Sequence, residues 1–304
     1  MVSRRYILKT GLAVAASSAL PRLAFAQQSN QLTVTPLSDR MVLIAGAGGN
    51  VLAVSDGAAV TLVDVGGAGR TEALLSAISG AFPDLRVNTV FNTHWHHDQT
   101  GGNQTLARAG ARIIAHANTR LWLTTDVQWP WGGAAQPMPS EAWPTEIFYN
   151  EPQQNGAGAV RAEYGYMLQA HTDGDAYVFF PEDNVLHCGG AIAADRWSDI
   201  DWWTGGWLGG VVEATETLLQ IANDQTRIVA SDGPVFGRAE LQAQRDMYAE
   251  LFVRFRDDLM FKGLSPAEAV AERPTQDFRP EWGDPDPFVI RAFQSLWHYF
   301  APEV

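Results

Sequence analysis

The sequence predicts an α+β fold in which two β-sheets face one another and helices cover their outer faces. Three observations predict it. From Leu32 to Val65, short apolar runs are separated by turn residues, the pattern of one antiparallel sheet. Between Thr71 and His116, strand-like and helix-like segments alternate, which implies a sheet under a helical cover. From Val160 to Ala230 that arrangement returns loosely, with strands, a helix and a further strand.

Taken in order, the first strands are Met41–Ala45, Val51–Ser55 and Ala59–Val65, joined by a glycine-rich turn at Ala47–Asn50 and by the hairpin signal Asp56-Gly57. The glycine turn is not a dinucleotide loop, because a strand and not a helix follows it. Thr71–Ser79, with Leu74, Leu75 and Ile78, reads as a helix, and Val87–Phe91 as a strand. A short helix near Asn103–Ala109, a strand at Ala111–Ala115 and a helix from about His116 follow. His116 has no ligand-type neighbour and reads as structural.

From Leu121 to Tyr149 periodicity fails, and Trp122, Trp129, Trp131 and Trp143 are interleaved with prolines over a stretch too long for an ordinary connection. Strands are expected around Val160–Ala170, Tyr177–Phe180 and Val185–His187, then a helix near Leu208–Ala222 and a strand at Arg227–Ala230. A long helix from about Arg238 to Lys262 stops at Gly263. Ser265-Pro266-Ala267-Glu268 is a capping box with proline at the first helical position. A last helix after Pro287 carries Val289, Phe293, Leu296, Trp297 and Phe300 at helical spacing, a stripe that suits core packing or a dimer contact. No internal repeat or linker marks a boundary, so residues 27–304 are expected to form one domain, with 264–304 as a helical extension.

The 304 residues are 46% hydrophobic, ample for a substantial core. Residues 1–26 combine Arg4-Arg5, an apolar run from Leu8 to Leu20 and Ala24-Phe25-Ala26, the pattern of a twin-arginine secretory signal. The expected address is the bacterial periplasm or the exterior. Losing Arg4, Arg5, Lys9 and Arg22 with that signal takes the formal charge from −13 to −17. Such acidity argues against nucleic acid or an anionic membrane as partner and leaves a small-molecule substrate; oligomeric state is not legible. The single cysteine, Cys188, has no partner for an internal disulfide.

The chemistry is carried by Asn92–Asn103, "NTHWHHDQTGGN". The strand ending at Phe91 runs into His94 and His96, with Asp98 two residues later. Spacing of i, i+2 at a strand mouth aims two rings at one point, and a third nitrogen from elsewhere would leave one tetrahedral position open for water. This loop resembles the metallo-β-lactamase superfamily of zinc hydrolases, whose signature is His-x-His-x-Asp-His. "TLVDVGG" at Thr61–Gly67, "AHTDGDAYVFFP" at Ala170–Pro181, "NVLHCGG" at Asn184–Gly190 and "ASDGPVFGRAEL" at Ala230–Leu241 follow in the family's order, so the resemblance runs from about Leu32 to Phe261.

The resemblance implies a four-layer αββα sandwich of two mixed sheets. It also implies that His171 joins His94 and His96 on one zinc ion. Asp64 is either a turn residue or, as the family pattern implies, a carboxylate behind the metal loop that accepts an imidazole N–H. The second metal position departs from the pattern: Gln99 stands where the family has His, Gly190 where it has a bridging Asp, and Asp232 where it has His. A second zinc is therefore expected to be weak or absent. Asp98, Gln99 and Asp232 form an alternative, oxygen-rich set suited to magnesium, calcium or manganese, with Cys188 as a lesser candidate ligand. His97 and His187 are expected behind the ligands or at the surface. The resemblance also puts the tryptophan-rich segments at the site mouth, so that Trp131, Trp143, Trp197, Trp202 and Trp203 either wall a substrate pocket or pack their loops onto the core.

The expected function is an exported, mononuclear zinc-dependent hydrolase. A metal-bound hydroxide attacks the carbonyl of a lactone, ester, thioester or β-lactam, with Asp98 as orienting group or general base. The alternative is a periplasmic binding protein that keeps the hydrolase fold with impaired catalysis.

Overall fold

The computed structural model describes residues 32–154 and 160–300; the signal expected at residues 1–26 lies outside them. The described residues pack as one unit. Two facing sheets, covered on their outer faces by helices, form the expected sandwich.

The first sheet begins as a meander of β1 (Thr33–Ser38), β2 (Met41–Ala45), β3 (Val51–Ser55) and β4 (Ala59–Val63). Short turns permit the antiparallel pairs. At Asp56-Gly57 the aspartate Oδ1 accepts from the Ala58 and Ala59 amides while Gly57 takes φ 86°. Beyond β4 the pairing turns parallel, because each return now passes through a helix. Helix α1 (Thr71–Ala81) leads to β5 (Arg86–Asn92). Helices α2 (His97–Thr100) and α3 (Asn103–Arg108) lead to β6 (Arg112–His116). Helix α4 (Ala117–Leu123), the hairpin of β7 (Val127–Gln128) and β8 (Ala134–Ala135), and a loop then lead to β9 (Glu146–Phe148), which closes this sheet.

The second sheet runs β10 (Gln153–Gln154), β11 (Glu163–Tyr166), β12 (Ala176–Phe180), β13 (Val185–His187), β14 (Arg227–Val229) and β15 (Phe236–Gly237). It is antiparallel except for β13 and β14, which α5 (Leu208–Ile221) joins in parallel. The strands are apolar on both faces because both faces are covered. Met41 and Leu43 meet Tyr164 and Val178 between the sheets, while their neighbours Val42 and Ile44 face α1 and α3. Behind the second sheet lie α5, α6 (Arg238–Val253), α7 (Pro266–Ala271) and α8 (Asp286–Phe300).

Two expectations change in detail. Only Glu163–Tyr166 of the segment from Val160 to Ala170 is strand, since Leu168 takes φ 61° and the chain leaves the ladder there. The helix expected over Arg238–Lys262 is α-helical to Val253, widens to a π-turn over Arg254–Leu259 and tightens to 3₁₀ before Gly263, whose φ of 68° ends it. Both bonds of the capping box at Ser265 are present. On α8, Val289, Phe293 and Leu296 are buried and Phe300 is exposed, so most of the stripe is core. Among the described residues, no helix is long and apolar enough to cross a membrane.

His116 caps α4, its Nδ1 accepting from the Asn118 amide, and its ring stacks on Tyr166 at 4.0 Å. Burial pushes its pKa down from 6.5 to about 4. The folded state thus keeps His116 neutral while the unfolded chain takes up a proton below 6.5, so stability is full above pH 6.5 and falls as pH drops toward 4. The gap corresponds to about 3 kcal/mol at most. Urea midpoints of His116→Asn, which retains a capping acceptor, should decline less steeply than wild type between pH 6.5 and 4.

Candidate metal centre

The centre is built at the end of β5. Its last residue, Asn92, is locked to α3 by paired amide bonds with Asn103, at 3.1 and 2.8 Å. The next residues therefore leave the sheet in a fixed direction. Gly48 of the β2–β3 turn lies under the loop; a Cβ there would stand 2.6 Å from the Asp98 carbonyl oxygen and from the Gly67 amide. The glycines of that turn thus allow one loop to support the other.

His94, His96 and His171 converge, with one nitrogen of each ring within 4.8 Å of the others. His171 Nε2 is 3.0 Å from His96 Nδ1. The opposite nitrogen of each ring has its own acceptor. His94 Nδ1 meets Thr93 Oγ1 at 3.0 Å, His96 Nε2 meets Asp201 Oδ2 at 2.9 Å, and His171 Nδ1 meets the Asp199 carbonyl at 2.7 Å. These acceptors select tautomers with N–H outward and lone pair inward, the arrangement a metal-ligating imidazole requires. Burial, then the neighbouring His171, His96 and His187, hold His94 well below its ordinary pKa. Burial also lowers His171, but Asp175 and Asp199 outweigh it and leave its pKa raised. Asp175 pins the His171 turn by accepting from the amides of His171 and Thr172 and from the Thr172 hydroxyl. Three converging ring nitrogens, each with an acceptor behind it, fit a zinc ion, and no fourth His, Cys or carboxylate joins the group among the described residues.

Asp64 lies behind the loop, but not on an imidazole. Its carboxylate accepts from the Thr93 amide at 2.8 Å and the Thr93 hydroxyl at 2.7 Å, and that hydroxyl meets His94. The direct contact expected from the sequence is thus relayed, because Thr93 fills the space between. Asp64 reaches Thr93 through a left-handed backbone, φ 59°, and complete burial raises its pKa to about 7 against the lowering effect of the Thr93 bonds.

Two cavities flank the triad. The larger, of about 520 Å³, is lined by His96, His97, Asp98, Trp129, Trp131, Asp199, Asp201 and Arg291. Of the expected aromatic wall, Trp131 lines this space and Trp197 the other. Trp202 packs against Trp131, and Trp203 is exposed beside Trp202. Trp143 is not in the pocket: its Nε1 donates to the Met138 carbonyl within the cluster around Leu123 and Val127. Trp129 takes its place. Its Nε1 donates to the same Asp201 Oδ2 that receives His96, and its ring stacks on the buried Trp95 at 5.6 Å. Burial raises the Asp201 pKa, but His96, Trp129 and Thr204 together bring it below the usual carboxylate range. Asp201 and Arg291 carry no motif that would have singled them out.

The smaller cavity, of about 180 Å³, brings Asp98, Gln99, Gly190 and Asp232 beside the three histidines. The Cys188 thiol is not among them, since it lies in the core, donates to the Val229 carbonyl and is pushed by burial to about 12. His187 is buried and not at the surface, its pKa lowered by burial to about 3. Half-buried His97 lines the larger cavity. At Gly190 a Cβ would stand 2.5 Å from His171 Cδ2. Any side chain at position 190 would therefore have to displace the His171 ring.

Two facing sheets with a three-nitrogen cluster at a strand mouth define a hydrolase-like fold with a metal position. A model described as the metallo-beta-lactamase superfamily matches residues 45–233, and the chain belongs to that superfamily. A metallo-beta-lactamase from Pontibacter korlensis is similar at 21% identity over 72% of this chain and 99% of that one, with a TM-score of 0.59. The DIM-1 metallo-beta-lactamase is 16% identical over 72% and 97%, TM-score 0.58. A stereoselective inverting sec-alkylsulfatase from Pseudomonas sp. is also 16% identical, over 90% of this chain and 51% of that one, with a TM-score of 0.68.

Two substitutions test the geometry through zinc affinity, read by chelator competition. Asp201→Asn removes the charged acceptor behind His96 and should weaken zinc about 10- to 100-fold. Gly190→Ala should weaken it as well, by forcing the His171 ring aside, while leaving the far-ultraviolet circular dichroism unchanged.

Proposed function

We propose that the protein is a zinc-dependent hydrolase acting on a carbonyl substrate (a lactone, ester, thioester or β-lactam) with one firmly held ion. The observation that carries this reading is the convergence of three ring nitrogens whose outer N–H groups are all engaged elsewhere. His94, His96 and His171 would hold the ion. When bound, zinc supplies a Lewis acid and lowers the pKa of a water to about 7.

The chain supplies the rest. Asp98 is exposed, lines both cavities and lies two residues beyond His96, so its carboxylate is available to take the proton of the attacking water. As the carbonyl–heteroatom bond breaks, Asp98 returns that proton to the departing oxygen, sulfur or nitrogen. Trp129 and Trp131 seat the apolar part of the substrate in the larger cavity. Asp201 ties Trp129 to His96, so that wall and ligand keep one spacing. The twin-arginine pattern supports export, and with it work in the periplasm on a small molecule.

A second reading, a binding protein with impaired catalysis, draws on the glycine at position 190, which offers no carboxylate. Turnover separates the two. Purified mature protein should contain about one equivalent of zinc. It should hydrolyse at least one member of a panel of chromogenic lactones, esters, thioesters and β-lactams, with an alkyl sulfate included because of the sulfatase neighbour. His171→Ala should lose both metal and turnover. Zinc-loaded protein that is inert on the whole panel yet binds a member of it would establish the second reading, and less than about a tenth of an equivalent of metal would end the first.

A further inference from the structure

The smaller cavity beside the triad has a permanently charged cationic side chain in its lining. The smaller cavity gathers Asp98, Gln99, Ser231 and Asp232 with a single arginine, Arg196. Arg196 Nη2 stands 3.8 Å from Asp232 Oδ1, and its Nε stands 3.6 Å from Asp195 Oδ1. Burial raises the pKa of Asp232, Arg196 lowers it, and Asp98 and Asp195 raise it again. Asp98, Asp199 and Asp232 line the cavity with Asp195 close by, and of the residues lining it only Arg196 carries a permanent positive charge.

Oxygen donors for a hard cation are nonetheless present. Gln99 Oε1 and Ser231 Oγ are buried without a hydrogen-bond partner. The Gln99 amide is held against Gly49, where a Cβ would stand 2.8 Å from Oε1 and 2.6 Å from the Ser231 carbonyl oxygen. Position 190 offers no carboxylate, being glycine, and a Cβ there would stand 2.5 Å from His171 Cδ2. Asp232 offsets the carboxylate missing at Gly190, so the rim stays acidic, and the Arg196 guanidinium beside Asp232 supplies positive charge where a second ion would otherwise sit.

We propose that Arg196 stands in electrostatically for the second metal ion, pairing with Asp232 and keeping a second cation out of the cavity beside the triad. The inference rests on the reading of the triad as the one metal position. Removing the guanidinium should convert Asp98, Gln99, Ser231 and Asp232 into an oxygen-rich site that accepts a hard divalent ion.

Manganese is the probe, because the six-line electron paramagnetic resonance signal of free Mn²⁺ is lost on binding. Full mature protein is supplied with one equivalent of zinc and titrated with Mn²⁺. Arg196→Ala should bind Mn²⁺ about tenfold or more tightly than wild type, on the scale of one unit charge removed near the surface. Arg196→Lys, which keeps the charge, should match wild type, and Arg196→Ala combined with Asp232→Asn should lose the gain. The proposal is overturned if wild type takes up Mn²⁺ as tightly as Arg196→Ala, or if the gain survives Asp232→Asn. Arg196 is about half exposed, so its substitution spares the core. A zinc titration of wild type alone reads the triad separately. Its failure would remove the hydrolase reading while the manganese comparison still decides the role of Arg196.

Discussion

Three imidazole nitrogens converge within 4.8 Å of one another, and an ion held between them would need three lone pairs at once. To hold such an ion each ring would turn its lone pair inward and its N–H outward, so each needs an acceptor on its far side. Thr93, Asp201 and Asp199 are those acceptors, and they come from two segments far apart in the chain. The fold around the centre is the means of delivering them. Asn92 and Asn103 lock the strand exit, Gly48 lets a turn support the loop, and Asp175 pins the turn that carries His171. Loosening any of these would let water compete for the outer nitrogens and free the rings to rotate.

The same acceptors reach outward to the substrate side. Asp201 holds Trp129 as well as His96, and Asp199, whose carbonyl takes His171, pairs through its carboxylate with Arg291. Arg291 lies over the Trp131 ring at 4.4 Å, so α8 contributes to the rim of the larger cavity. Residues 264–300 are therefore more than an appendage: through Arg291 they line the larger cavity together with residues of the stretch 45–233 that matches the superfamily.

Much of this was legible in local pattern. The helices over Thr71–Ala81, Asn103–Arg108 and Leu208–Ile221 and the strand over Arg86–Asn92 follow from apolar periodicity, which reports on burial directly. The pair His94 and His96 was legible because two rings at i, i+2 after a strand share one direction. Trp143 and Trp129 were not distinguishable, since both are indoles in an aperiodic, proline-rich stretch and only the path of the loop turns one into the pocket and the other into the core. Asp201, Arg196 and Arg291 were illegible for a related reason. Each works with groups that lie from tens of residues to well over a hundred away, and no spacing rule spans such distances.

By itself the sequence determined the alternating strands and helices of two sheets and the strand mouth with its paired histidines. Both are encoded in residue type and short-range spacing, whereas the expectation at Gln99, Gly190 and Asp232 came from the resemblance to the superfamily. Only the tertiary structure decided that Asp64 acts through Thr93, that His171 fills the space beside Gly190 and that Arg196 faces Asp232. Those outcomes depend on how segments distant in the chain compete for the same few ångströms, and close packing settles such competition in three dimensions.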